Sequence, residues 1–127
     1  MKYLHEDDIL LIHSMVIDET GGSHGVRDSH AISSLVDLPK QSFSGTELYP
    51  TLFEKTATYT RSIIMNHPFI DGNKRTGMTA ASVFLENNGY RVMAREGEIE
   101  NFALKVIERK LKIKQIAKWF KEHTQKL

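Results

Sequence analysis

Residues 50–89 of this chain have the sequence PTLFEKTATYTRSIIMNHPFIDGNKRTGMTAASVFLENNG. Its first half predicts a helix with a buried face, because apolar and small side chains recur there at intervals of three and four. The residues concerned are Leu52, Phe53, Thr56, Ala57, Thr60, Ile63 and Ile64. Pro68 ends this helix just after His67, and a second helix resumes near Lys74. The stretch therefore predicts two helices joined by a short polar loop.

Helical spacing also dominates the sequence on either side of this stretch. Residues 5–20 carry apolar side chains at helical intervals and stop at a pair of glycines, which commonly end helices. Asp28 can cap a shorter helix that ends before Pro39. Two further apolar patterns in the last thirty residues or so predict two more helices. Together they predict a single-domain, all-α bundle of about six helices over residues 1–127.

Two segments depart from helical spacing. Residues 40–49 have no helical pattern and are predicted to be irregular or extended, as a flap on the surface. Tyr90 to Met93 are predicted to form a short extended piece after the turn at Asn88-Gly89.

Length and composition place the chain among globular proteins. Its 127 residues suffice for one domain, and 40% hydrophobic and 26% charged residues exclude a disordered chain. No run approaches the roughly 20 apolar residues of a membrane-spanning helix, and the first residues are acidic where a signal peptide would be apolar. Cys is absent, which excludes disulfides and thiolate chemistry. These features predict a cytoplasmic protein without a membrane contact.

The charge is distributed unevenly along the chain. The net charge is +1, but residues 105–127 carry eight basic and two acidic side chains, whereas residues 1–104 carry nine basic and 14 acidic ones. The low net charge argues against direct binding of nucleic acid. The basic segment leaves three interpretations open: contact with an acidic partner, contact with a phosphate backbone, or a solvated helix face.

The loop that begins at His67 concentrates the polar side chains. Because a helix starts at the end of this loop, unpaired backbone N–H groups and the positive end of the helix dipole face it, and phosphate commonly binds there. Gly72 permits close approach of the backbone. Lys74 and Arg75 add positive charge, and the guanidinium offers a planar fork for phosphate oxygens.

His67 and Asp71 complete a set of groups suited to phosphoryl or nucleotidyl transfer. Histidine titrates near neutral pH and can remove a proton from an attacking hydroxyl. Asp71 supplies an oxygen ligand of the kind that Mg²⁺ prefers. Taken singly, each residue also has a structural explanation as a helix cap, a turn or a solvated surface group. Their density before a helix start makes the catalytic interpretation as well supported as the structural one.

Residues 67–77, HPFIDGNKRTG, resemble the signature of the Fic/Doc superfamily, His-Pro-Phe-x-Asp/Glu-Gly-Asn-Gly-Arg-x-x-Arg. Lys74 stands where this signature has its second Gly, and Met78 where it has its second Arg. The Lys is typical of the death-on-curing, or Doc, branch. Residues 21–28, GGSHGVRD, and 41–45, QSFSG, resemble the glycine-rich element and the flap of that branch.

The resemblance implies an α-helical Fic-like fold and a role for each residue of the motif. It implies that His67 is the general base and that Asp71 is the Mg²⁺ ligand. It implies nucleotide binding by Phe69, Gly72, Asn73, Lys74 and Arg75, of which Lys74 and Arg75 also count among the catalytic residues.

The resemblance also implies a toxin that uses ATP and Mg²⁺. A Doc-branch toxin transfers the γ-phosphate to a Ser or Thr hydroxyl of a translation factor, elongation factor Tu, and thereby inhibits protein synthesis. Its partner is a short, partly disordered antitoxin that covers the groove near the active site. A glycine at position 74 and an arginine at position 78 would support a nucleotide that exposes its α-phosphate. Because Lys74 and Met78 replace them here, a nucleotide that presents its γ-phosphate is favoured. Two alternatives remain: an AMP transferase on the same scaffold, and a non-catalytic binding module.

Overall fold

The computed structural model describes all residues, 1–127, and confirms the all-α architecture. There are six helices: α1 (Glu6–Thr20), α2 (Ser29–Asp37), α3 (Leu52–Asn66), α4 (Asn73–Asn87), α5 (Glu96–Glu108) and α6 (Ile113–Glu122). A single 3-10 turn, Leu38–Lys40, follows α2. None of the helices combines the length and the apolar character needed to cross a membrane.

Helix α3 lies at the centre of the bundle, packed against α2, α4 and α6. Its threonines are buried together with its apolar residues, and their hydroxyls bond to main-chain carbonyls. Thr56 donates to Leu52 O, and Thr60 donates across to Gly77 O on α4. Because the hydroxyls are satisfied in this way, the polar side chains are compatible with a core position.

Close packing of α4 on α3 depends on the small residues of α4. A Cβ at Gly77 would lie 2.8 Å from Ile64 Cγ1 and 3.2 Å from the carbonyl of Thr60. The two helices thus approach each other closely at Gly77. Apolar clusters fill the space on both sides of the pair, one toward α1 and α2 and the other toward α5 and α6. The loop between α3 and α4 is held at the end of this rigid pair.

The predicted boundaries and extended segments agree with the structure. Gly21 ends α1 with a positive φ of 86°, and the Asp28 carboxylate accepts from Ala31 N at the start of α2. The flap is a hairpin of two short antiparallel strands, β1 (Ser42–Phe43) and β2 (Thr46–Glu47). The second extended piece is β3 (Tyr90–Val92), which pairs antiparallel with β4 (Thr124–Lys126) at the far end of the chain.

Candidate active site

The loop between α3 and α4 is closed by the side chain of Asn73. Its Oδ1 accepts from Phe69 N at 3.1 Å, and its Nδ2 donates to Phe69 O at 2.9 Å. The residue is only 7% exposed. Asn73 therefore sets the shape of the loop with its Oδ1 and one N–H of its amide, and the second N–H of Nδ2 makes no bond within the loop.

The ring of Phe69 belongs to the core and does not reach the site. It is 1% exposed and stacks on the imidazole of His13 on α1, with ring centres 3.8 Å apart. The expectation that the Phe69 ring contacts a nucleotide is therefore corrected, because a buried ring in this stack has no free face for a ligand. Its backbone, bonded to Asn73, contributes to the shape of the loop.

His13 lies beside the candidate site, although the sequence analysis did not predict it there. It is 4% exposed, and its Nε2 lies 2.8 Å from the carbonyl oxygen of Asp71. Because a carbonyl only accepts, Nε2 carries the proton and donates. The spacing of His13 from Ile9 and Ile12 places it on the buried face of α1. A polar residue on an apolar helix face was the available signal for this contact.

The glycine-rich segment after α1 packs directly on the loop. Ile70 N donates to Gly25 O at 3.1 Å, and Pro68 O accepts from the backbone of residues 27 and 28. A Cβ at Gly22 would lie 2.6 Å from Asp71 Oδ2, and one at Gly25 would lie 2.6 Å from Ile70 Cδ1. A side chain at either position would have to displace Asp71 or Ile70, and the φ values of 112° and 130° themselves favour glycine.

Arg27 caps the carboxyl end of α3. Its Nε donates to His67 O and its Nη2 to Asn66 O, at 2.5 and 2.6 Å. A cation at this end of a helix satisfies free carbonyls and suits the helix dipole. The contact holds the backbone of His67, which has a left-handed φ of 48°.

The imidazole of His67 is exposed, and it makes no hydrogen bond with another residue. It also lies outside the set of residues that line the adjoining cavity. Its ring nitrogens are therefore free to accept a proton from a substrate hydroxyl. The structure places this histidine at the start of the loop, separate from the groups suited to phosphate.

Asp71 is held in place as an acceptor. Its Oδ1 accepts from Gly72 N at 2.9 Å and its Oδ2 from Ser23 N at 3.2 Å. Each oxygen keeps a further lone pair, and the side chain is exposed. No group of three His, Asp or Glu residues is placed to hold a metal ion. One carboxylate suits Mg²⁺ when waters and substrate phosphates supply the remaining ligands, so the loop fits a Mg²⁺–nucleotide.

A cavity of about 590 Å³ opens beside the loop, between the end of α1, the start of α4 and α5. Asp71, Gly72, Lys74 and Arg75 all line it. The backbone N–H groups of residues 73–75 donate no hydrogen bond within the protein, as expected at a helix N-terminus. Free N–H groups and two cationic side chains beside one cavity are suited to bind an anion.

Arg75 is paired with carboxylates on the opposite wall of this cavity. Its Nη2 lies 3.1 Å from Glu100 and its Nη1 lies 3.6 Å from Glu96, both on α5. This pairing could not be predicted from the sequence, because the partners lie more than 20 residues away along the chain. A phosphate bound by Arg75 has to compete with these two carboxylates.

Comparisons with known proteins identify the family of this chain. Residues 3–85 match the model of the Fic/DOC family. The chain is 37% identical over 93 residues to a protein named Toxin Doc from Mycolicibacterium smegmatis, covering 73% of this chain and 69% of that protein. It is 29% identical over 92 residues to a protein named Protein kinase doc from Escherichia phage P1, covering 72% of each. The chain belongs to the Doc branch of the Fic/DOC family.

Proposed function

We propose that this protein is a Doc-type toxin that transfers the γ-phosphate of ATP to a Ser or Thr hydroxyl of a translation factor, and so inhibits protein synthesis. The observation that carries the proposal is the cavity at the start of α4, where free backbone N–H groups, Lys74, Arg75 and Asp71 converge. The names of two relatives, Toxin Doc and Protein kinase doc, support a toxin and a kinase activity. Elongation factor Tu is the proposed substrate, by family resemblance.

Each residue of the site has a task in this reaction. The N-terminus of α4, Lys74 and Arg75 bind the phosphates and offset their charge. Asp71 would hold Mg²⁺, which when bound would offset the negative charge of the phosphates. His67 accepts the proton of the attacking hydroxyl on its free imidazole nitrogen.

Lys74 and Met78 support transfer of the γ-phosphate over transfer of AMP. Lys74 is exposed at the mouth of the cavity, where a glycine would leave only backbone N–H groups. Met78, 4% exposed, lines the cavity with a side chain that donates no hydrogen bond. The arginine that would bind a phosphate with two bonds in an AMP transferase is absent.

A short, partly disordered antitoxin is the proposed partner. The α5 wall of the cavity presents Ile99 and Leu104, and Leu104 is 41% exposed. An apolar strip beside charged residues is suited to an amphipathic segment that inserts its apolar side. This occupant would cover Arg75 and its carboxylate partners.

The proposal is tested by incubating the full chain with elongation factor Tu, Mg²⁺ and ATP labelled at either the α- or the γ-phosphate. We expect label from the γ-phosphate alone and an intact-mass shift of one phosphate on the target. Label from the α-phosphate, with an AMP adduct, would instead establish the AMP transferase. No label from either nucleotide, with target and toxin both folded, would favour the non-catalytic module.

A further inference from the structure

The lysines near the end of the chain form a surface without acidic partners. All eight Lys and Arg side chains of residues 105–127 are exposed, and none forms an ion pair. Ion pairs in this protein involve other residues, chiefly Lys55 and Arg75. The positive charge of this segment is therefore not held in ion pairs within the fold.

Three of these lysines share one face of α6. Lys114, Lys118 and Lys121 follow at intervals of four and three, and together they line an open cavity of about 520 Å³. Phe53, at the start of α3, lies half-buried in the same cavity. One carboxylate, that of Glu54, also lines it and accepts a bond from the Thr51 hydroxyl at 3.0 Å.

A second aromatic ring continues this surface toward the β3–β4 ribbon. Tyr90 is half-buried and meets Phe53 edge-on, with ring centres 5.8 Å apart. Lys126 is the residue directly opposite Tyr90 in the ribbon, so both side chains lie on the same face. We call Lys114, Lys118, Lys121 and Lys126, with Phe53 and Tyr90, the basic-aromatic surface.

The basic-aromatic surface is remote from the candidate active site. Phe53 belongs to the first turn of α3, whereas His67 follows its last residue. A helix of 15 residues is about 22 Å long, so the two sites lie at opposite ends of α3. The charges of this surface are thus not used by the chemistry proposed above.

We propose that the basic-aromatic surface binds single-stranded nucleic acid. Lysines contact the phosphates, and the rings of Phe53 and Tyr90 provide faces or edges against which bases pack. Charge complementarity alone would also suit an acidic polypeptide, but the two half-buried rings among the lysines favour bases. The net charge of +1 hides this site, because the acidic side chains that offset the lysines lie elsewhere in the chain.

The test measures the fluorescence anisotropy of labelled oligouridylate and oligothymidylate with the full chain at several salt concentrations. Contacts to about three or four phosphates predict a log–log slope of roughly −2 to −3 with salt. Lys114→Gln/Lys118→Gln is expected to weaken binding about tenfold or more and to reduce the slope by about one. The matched control, Lys2→Gln/Lys40→Gln, removes the same charge from outside this surface and should change binding less than about twofold. A third variant, Tyr90→Leu, should weaken binding at least about fivefold.

Three results would overturn the proposal. The first is no salt-dependent binding of either oligonucleotide by the folded wild type. The second is an equal loss in the two lysine double variants, which would show a general effect of net charge. The third is binding of polyglutamate with an affinity at or above that of the oligonucleotides, which would assign the surface to an acidic polypeptide. The ratio of the affinities for oligouridylate and oligothymidylate shows whether the surface prefers RNA or DNA.

Discussion

The imidazole of His67 is exposed and bonds to no other residue, so its removal tests chemistry with little effect on the fold. His67→Ala is expected to slow phosphate transfer by roughly 10²–10⁴-fold, the usual contribution of a general base. The rate is measured with γ-labelled ATP, and circular dichroism reports the fold. His24→Ala, at an exposed histidine paired with Asp18, is the control and should retain its activity. A folded His67→Ala protein with full activity would contradict the assignment.

Asp71 has two tasks, and the dependence of the rate on Mg²⁺ concentration reports on one of them. Its carboxylate accepts two backbone N–H groups, and we propose that it also binds Mg²⁺. Asp71→Asn removes the charge and leaves one oxygen to accept a backbone N–H group, so the rate should fall and half-saturation should need more Mg²⁺. The rate as a function of Mg²⁺ concentration gives the result, with Asp18→Asn as the control. An unchanged Mg²⁺ dependence would leave Asp71 as a cap of the loop only.

Lys74 decides between the two enzymatic interpretations. If its ammonium binds phosphate during kinase chemistry, Lys74→Ala loses a charged hydrogen bond of about 1.5–3 kcal/mol, or one to two decades in rate. Lys74→Gly should restore a backbone cradle and allow weak AMP transfer, since Met78 still provides no second arginine. Mass spectrometry of the target distinguishes the two adducts. AMP adducts from the wild type, without phosphate, would refute the kinase interpretation.

Helices α4 and α5 are linked across the cavity by the pairing of Arg75 with Glu100 and Glu96. These groups are substantially exposed, so the pairing contributes only about 0–1 kcal/mol. Glu100→Gln should therefore raise the affinity for ATP by up to about fivefold, because phosphate no longer competes with this carboxylate. Isothermal titration calorimetry measures the affinity of each variant for ATP. The control is Glu98→Gln, whose carboxylate lies beside His123. Weaker binding by Glu100→Gln would show that Glu100 positions Arg75 for phosphate.

Elements were predictable from the sequence where the determining contacts are local. The caps Gly21 and Asp28 and the interruption at Pro68 act within a few residues, so the helix boundaries follow from them. The β3–β4 ribbon was only half visible, because Thr124–Lys126 have no strand pattern of their own and pair with a segment more than 30 residues away. Strand pairing of this kind depends on the tertiary fold.

The difference between local contacts and contacts made by the tertiary fold also decides which residues of the candidate site were predictable. The loop motif contains the residues that line the cavity, which made Asp71, Gly72, Lys74 and Arg75 recognisable. The roles of Phe69 and Asn73 could not be assigned from order alone, since burial against His13 and bonds within the loop decide them. His13 and Glu100 reach the site only through packing of α1 and α5 on α4.

Tyr59 connects the start of the chain to the central helix, α3. It is fully buried on α3, and its hydroxyl accepts from Leu4 N at 3.0 Å. Burial raises the pKa of Tyr59 to about 12 from its ordinary value of 10.0. The folded state therefore keeps this proton between pH 10 and 12, where the unfolded chain has lost it.

The sign of the pH effect follows from this difference in bound protons. Stability from neutral Tyr59 is fully present below pH 10 and is lost as the pH rises toward 12, by about 2–3 kcal/mol in all. Urea unfolding at a series of pH values, compared between wild type and Tyr59→Phe, isolates this contribution from that of other groups.

The variant should be less stable by about 1–3 kcal/mol at neutral pH, because Leu4 N loses its buried acceptor. The difference between the two proteins should shrink above pH 10 as wild type loses the tyrosine contribution. Tyr49→Phe, a tyrosine outside the core, should follow the wild-type curve. A constant difference between wild type and Tyr59→Phe across this window would show that Tyr59 titrates alike in the folded and unfolded chain.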